Sequence, residues 1–254
     1  MIQVAVAGCC GRMGSSVVNA VQKAEDLSLV CGIDPYPQEV TYPVYQSIED
    51  ALEQETFDVL VDFTQPNVVA QTLSVALPAG IDCVVGTTGL TDETLNALAN
   101  LAKPGTALFY APNFTTGAVL MMQFAKAAAP FFPEAEVMEF HHCNKKDAPS
   151  GTAVRTAQII ARSRDFESTA PGNETEIEGA QGARGALIEG VPVHSVRSMG
   201  YVASQEVVFG SMGQTLTIRH DSWDRESYMP GVLLGIRSVQ NCDGLVIGLE
   251  NFMA

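Results

Sequence analysis

Positive charge is scarce in this chain of 254 residues. Its 14 lysines and arginines face 29 aspartates and glutamates, which gives a formal net charge of −15 and a pI near 4.5. Such a surface repels polyanions, so broad binding to nucleic acid or to an anionic membrane is excluded. No run of 18 uncharged apolar residues occurs, and no transmembrane helix is expected. The six cysteines (Cys9, Cys10, Cys31, Cys83, Cys143 and Cys242) form no CxxC pair with zinc-ligand spacing, so no metal site is expected. Four of them sit in apolar or glycine-rich surroundings, and a reduced cytosolic protein is the simplest expectation. The N-terminal MIQVAVAG lacks the basic start of a signal peptide and the Arg/Ser-rich character of a transit peptide; it reads as a first strand. Internal repeats are lacking too. What remains is a composition of 46% hydrophobic and 17% charged residues, that of a folded protein with one large or two modest domains. One condition follows from the charge: any anion site must be built from a few well-placed donors inside a negative field.

The first ~110 residues alternate short apolar runs with helical patterns, as parallel βαβ units do. Strands are expected at Ile2–Ala7, Leu27–Ile33, Val59–Phe63, Asp82–Val85 and Ala107–Tyr110. Helices are expected at Gly11–Lys23, Ser47–Glu55, Asn67–Leu77 and Asp92–Ala102. Each strand ends in a turn rich in Gly, Pro, Thr or Asn, and in open α/β sheets such turns converge on one crevice. After Gly117 the pattern changes to that of an α+β domain. A helix Ala118–Ala129, a strand Glu136–His141 and a helix Thr152–Arg162 are followed by a loop over 163–190 with few large apolar residues. Strands then follow at His194–Met199, Ser204–Ser211 and Gln214–Asp221, with a hairpin turn at Gly210–Gly213. A helix Arg225–Val239 and a strand Gly244–Leu249 either close this domain or cross back to the first.

The turn after the first strand is Gly8-Cys9-Cys10-Gly11-Arg12-Met13-Gly14. Its glycines allow a tight turn and close approach to a pyrophosphate, and the helix that follows offers N–H groups and the positive end of its dipole. Asp34 ends the second strand about 20 residues on, where a ribose-binding carboxylate belongs. The spacing is GxxGxxG and not GxGxxG, so a merely structural glycine turn is the competing reading. Pro35 and Tyr36 stand where an NADP-selective site would place Arg, and a carboxylate repels a 2′-phosphate. NADH is therefore favoured, although Arg12 could help hold that phosphate.

The densest chemistry lies in the segment Glu139-Phe140-His141-His142-Cys143-Asn144-Lys145-Lys146-Asp147-Ala148-Pro149-Ser150-Gly151-Thr152. Two of the four histidines and two of the five lysines fall within six residues. His donates protons near neutral pH, and Lys donates to anions or protonates a leaving group. Ser150-Gly151-Thr152 opens a helix and forms a carboxylate cradle. The competing reading is a basic loop followed by an ordinary helix cap. Zinc on the two adjacent histidines is disfavoured, because neighbouring residues rarely share one metal. His220, between Arg219 and Asp221, and His194 read as members of structural networks, with a catalytic His220 as the alternative.

The chain resembles the dihydrodipicolinate reductases. The segments that carry the resemblance are AGCCGRMG (7–14), DFTQP (62–66), GTTG (86–89), APNFTTG (111–117), HHCNKKDAPSGTA (141–153), GVPVHSVR (190–197) and the run from Glu206 to Arg237. The resemblance implies a Rossmann-like doubly wound parallel sheet (1–116 with 226–254) and a second α+β domain (117–225) carrying a mixed sheet through which a homotetramer assembles. It implies NADH- or NADPH-dependent reduction of 4-hydroxy-tetrahydrodipicolinate, a small dicarboxylate, in lysine and diaminopimelate biosynthesis. His141 and Lys145 match the catalytic positions. His142, Gly151 and Thr152 match substrate contacts, with Ser150 in the same cradle. Gly8, Cys9, Cys10, Gly11, Arg12, Met13, Asp34, Gly86, Thr87, Thr88, Ala111, Pro112, Asn113 and Phe114 match cofactor contacts. Cys9-Cys10 departs from the small residues usual in that loop, and Pro35 from the Arg of members that bind NADPH well. Two rival readings stay open: another two-domain dehydrogenase, which would not need the DAPSGT cradle beside paired His and Lys, and a dinucleotide sensor, which would be expected to have lost His141 or Lys145.

Overall fold

The computed structural model describes residues 1–165, 179 and 181–253. It divides into two compact units, one made of Met1–Thr116 with the chain from Arg225 onward, the other of Gly117–Asp224. The chain runs β1 (Ile2–Ala7), α1 (Arg12–Lys23), β2 (Leu27–Ile33), β3 (Val44–Tyr45), α2 (Ile48–Gln54), β4 (Val59–Asp62), α3 (Pro66–Ala79), β5 (Asp82–Val85), α4 (Asp92–Ala99) and β6 (Ala107–Tyr110). It continues with α5 (Thr116–Ala128), β7 (Glu134–His141), α6 (Gly151–Arg162), β8 (Ala186–Ile188), β9 (Val191–Arg197), β10 (Ala203–Ser211) and β11 (Gln214–Ser222). The last elements, α7 (Met229–Val239) and β12 (Gly244–Ile247), rejoin the first unit.

In the first unit seven parallel strands are ordered β12-β6-β5-β4-β1-β2-β3. The order reverses at β1, which pairs with β2 on one side and β4 on the other, so the turns after β1 and β4 flank the switch point of a doubly wound sheet. β4, β6 and the last four residues of β1 are buried on both faces, which is why they read as unbroken apolar runs and not as alternating ones. α1 follows because Gly14, Val17, Val18 and Val21 make one buried stripe. α3 begins at Pro66, one residue before the sequence pattern suggests, because a proline at the first helical position loses no hydrogen bond there. It ends at Gly80, whose φ of 89° suits the residue that closes a helix. Pro230 sets the start of α7 in the same way, so the expected helix from Arg225 is a short 3₁₀ turn followed by α7.

In the second unit the sheet order is β11-β10-β7-β9-β8, with β7 and β9 parallel and the other pairs antiparallel. One face carries Val137, Val207 and Phe209 against Ala153, Ala157 and Ile160 of α6. Fully burying an aliphatic side chain of this size contributes about 1.5–3 kcal/mol, so this layer holds α6 against the sheet. Among the described residues no helix is long and apolar enough to cross a membrane.

Two expectations need correction. β3 stands where no strand was expected: two residues between prolines and polar turns carry too short a pattern, yet Pro43 and Tyr45 accept hydrogen bonds from Gly32 and Asp34. Within the loop expected over 163–190, Ala186–Ile188 is strand β8, paired with β9 at the sheet edge; residues 166–178 and 180 of that loop lie outside the described residues.

Candidate active site

In the first unit the Gly8–Gly14 turn leads from β1 into α1. Gly8 has φ 76° and its carbonyl accepts the Gly11 N–H at 2.9 Å. A Cβ on Gly14 would lie 1.9 Å from that same carbonyl oxygen, so the first turn of α1 rests on the loop only because this residue is glycine. α1 has no side-chain cap and no acidic residue in its first turn. Its N-terminal N–H groups are thus of the kind that bind a pyrophosphate. Asp34 is 9% exposed; its Oδ2 accepts the Cys10 N–H at 3.1 Å and its Oδ1 the Tyr36 N–H at 3.0 Å. The carboxylate is held against the loop, where a ribose hydroxyl would reach it. A turn built this way fits a dinucleotide.

The turns after β4, β5 and β6 meet beside it. The Thr87 hydroxyl donates to Asp62 Oδ1 at 2.6 Å, and Thr64 donates to the same oxygen from its N–H and its hydroxyl. A Cβ on Gly86 would strike the Phe63 ring, which lies 5.7 Å from that of Phe114. Asn113 Oδ1 accepts the Thr115 N–H at 2.8 Å. Asp62 is fully buried; burial raises its carboxyl above the ordinary range against those hydrogen bonds. The sequence reading gave this residue no role. Its position at the end of a buried strand, before a Thr-Gln-Pro turn, was the available signal.

In the second unit the basic segment is organised by a residue the sequence reading also left without a role, Glu139. This carboxylate on β7 is fully buried. It accepts from His141 Nδ1 at 2.5 Å, from Arg197 Nη1 and Nη2 at 2.9 and 2.8 Å, and from the Ser150 N–H at 3.2 Å. Burial alone would raise its pKa; the bonds from His141, Arg197 and Ser195 outweigh it and hold the carboxyl at about 2. An ionised carboxylate only accepts, so His141 carries its proton on Nδ1 and turns Nε2 outward from this bond. Arg197 also donates to the Asp147 carbonyl at 2.8 Å, tying β9 to the loop. Lys145 Nζ donates to Asp147 Oδ1 at 2.7 Å, which lowers the Asp147 carboxyl below its usual range. His142 is exposed. Ser150 is buried and its hydroxyl accepts the Ala153 N–H, so it serves as the cap of α6. Gly151 is exposed, with nothing within 4 Å of where a Cβ would stand, and Thr152 is half-buried beside it. The Gly151 N–H donates to the Asp147 carboxylate, so the start of α6 already faces an anionic acceptor.

The remaining histidines lie on the same sheet, His194 within a carboxylate network and His220 beside one. His194 Nε2 lies 2.8 Å from Glu136, which Arg184 also pairs with. Arg219 bonds Glu206 and Asp221, while His220 packs against Gly117 and burial lowers its pKa.

A family model described as the N-terminus of dihydrodipicolinate reductase matches residues 2–114, and one described as its C-terminus matches 117–253. The chain is 47% identical to a 4-hydroxy-tetrahydrodipicolinate reductase of Listeria welshimeri over 99% of its length and all of the relative's. It is 48% identical to the protein of that name from Streptomyces coelicolor, over 99% of the chain and 98% of the relative. Among solved structures, the dipicolinate-bound dihydrodipicolinate reductase of Paenisporosarcina sp. TG-14 is 41% identical and superposes with a TM-score of 0.88 over 99% of both chains.

Proposed function

The chain belongs to the dihydrodipicolinate reductase family, and from that premise we propose that it reduces 4-hydroxy-tetrahydrodipicolinate to tetrahydrodipicolinate in lysine and diaminopimelate biosynthesis. The observation that carries the reading is the buried Glu139, which fixes His141, Arg197 and the start of α6 around one carboxylate while Lys145 stands paired beside them. A sensor that only bound dinucleotide would have no use for such a cluster. A reduced nicotinamide, when bound, supplies the hydride. The chain's residues do the rest. The α1 N-terminus holds the pyrophosphate, with Gly8 to Met13 approaching it closely, and Asp34 accepts from the ribose. Gly86 to Thr88 and Ala111 to Phe114 border the nicotinamide end. The start of α6 at Gly151 and Thr152, with His142, holds a substrate carboxylate, which takes the place of the Asp147 carboxylate at the Gly151 N–H; Ser150 acts by capping the helix that presents them. Lys145 delivers a proton to the departing hydroxyl, so that water leaves C4 as that carbon is reduced. His141 holds or passes a proton at Nε2, its tautomer set by Glu139.

Asp34 supports NADH as the preferred donor. A fixed carboxylate near the ribose repels a 2′-phosphate by about 1 kcal/mol or more at a partly screened distance, and the residue directly after it is Pro35 and not an arginine. NADH is expected to show a kcat/KM about tenfold above that of NADPH, and Asp34→Ala to narrow the ratio. The measurement is absorbance at the NADH wavelength, with substrate generated in situ from pyruvate and aspartate semialdehyde. A substrate-independent signal would sink the reductase reading; equal use of the two nucleotides would sink only the preference.

The homotetramer belongs to the same reading. By register Met138, Phe140, Val196 and Val208 share the sheet face turned away from α6 in the second unit. Light scattering is expected to give four chains per particle, and a concentration-independent monomer would overturn this.

A further inference from the structure

The phosphate loop carries two adjacent thiols, and the turn brings both to one side. In a strand neighbouring side chains point to opposite faces, but Cys9 and Cys10 lie beyond β1, and their sulfurs are 3.8 Å apart. These sulfurs and a carboxylate oxygen of Asp34 all lie within 4.8 Å of one another. Gly32 makes the space: a Cβ there would stand 2.4 Å from the Cys9 sulfur. The Tyr42 hydroxyl, hydrogen-bonded to Cys9, adds a further oxygen at the edge of the group.

Two sulfurs bound to one tetrahedral zinc ion at about 2.3 Å each are separated by about 3.8 Å. The observed separation already equals that span, whereas a disulfide would have to shorten it to about 2.05 Å. Two thiols with one carboxylate favour a thiophilic divalent cation over magnesium or calcium. Cys9 is buried while Cys10 and the rim of Asp34 give access from outside.

We propose that Cys9, Cys10 and Asp34 form a binding site for a thiophilic divalent cation, Zn2+ or Cd2+, that competes with the dinucleotide for the loop. Each sulfur gives up its proton to solvent and donates a lone pair to the ion; nothing is oxidised or reduced. Burial holds the Cys9 thiol up at about 12, so the ion must displace its proton and does not meet a ready thiolate. The site stands on these three side chains alone. Only the competition rests on the proposed function, because Asp34 is the group the ribose would use and Cys9 and Cys10 belong to the loop that the pyrophosphate would approach.

The test titrates the reduced, metal-free full chain with Cd2+ and follows the thiolate-to-cadmium absorption in the near ultraviolet, with Zn2+ as the displacing ion. One Cd2+ per chain with a thiolate band is expected. Cys10→Ser should weaken binding by more than about 100-fold, beyond what loss of an outer-shell partner causes, while Cys143→Ser keeps the band. On the unaltered chain, saturating NADH should suppress the band, and stoichiometric Zn2+ should weaken NADH binding at least tenfold. A band that survives Cys10→Ser, or no band at all, overturns the site. NADH binding that is unaffected by bound metal overturns the competition. NADH binding to the metal-free chain, read by fluorescence, is a separate arm: its absence would reject the dinucleotide reading and leave the metal result standing.

Discussion

Lys145→Ala is expected to lower kcat by about 10²–10⁴-fold, the usual contribution of a positioned proton donor, while NADH affinity stays within about twofold of the parent. The ammonium is half-buried and held by Asp147 at 2.7 Å, so it is set in place and not a mobile surface charge. The groups proposed to hold the dinucleotide, Gly8 to Met13 and Asp34, belong to the other folding unit, so the substitution removes none of them. Asp147→Asn should fall between the parent and Lys145→Ala, because it loosens the ammonium without removing it. Steady-state rates with calorimetric NADH titration separate the effects. Loss of nucleotide binding together with turnover would mean that Lys145 has been given the wrong role; unchanged turnover would remove it from the chemistry.

Where a local rule dominates, the sequence was sufficient. β1, β2, β5 and β6 lie at the residues their apolar runs and bounding turns indicate. Asp34 could be found because its distance from the glycine turn follows from one β–α–β unit. β3 and β8 could not, since two or three residues carry no period and each is defined only by the strand it pairs with. The candidate site divides along the same line. His141, Lys145 and the Ser150–Thr152 cap lie in one contiguous segment, so residue type and spacing reveal them. Glu139 and Arg197 are 58 residues apart and meet because β7 and β9 pair in parallel with Glu139 two positions from the register of Arg197. Half of that was nevertheless present: Glu139 and His141 are two apart on a strand and so share a face. An acid two residues before a candidate acid–base histidine on a strand is the local signal of this pair.

That acid carries the second large effect. Glu139→Gln is expected to lower kcat by about 10²-fold and to destabilise the protein by about 3 kcal/mol at neutral pH. Glutamine keeps the size but removes the charge that faces Arg197, and its amide can donate where the carboxylate only accepts, which permits the wrong His141 tautomer. The stability loss has its own pH signature. The carboxyl sits at about 2 in the folded chain against an ordinary 4.5, so the unfolded chain takes up this proton first as pH falls. The stabilisation from Glu139 is therefore complete above about pH 4.5 and disappears as pH falls toward 2. Denaturant unfolding of parent and variant between pH 7 and pH 3 should show their difference shrinking through that window. A difference that holds constant down to pH 3 would mean that the loss comes from packing and not from the charge. Turnover measured at pH 7 on the folded variant decides the other half: a stable Glu139→Gln protein with parental kcat would show that the carboxylate supports the fold without setting the histidine.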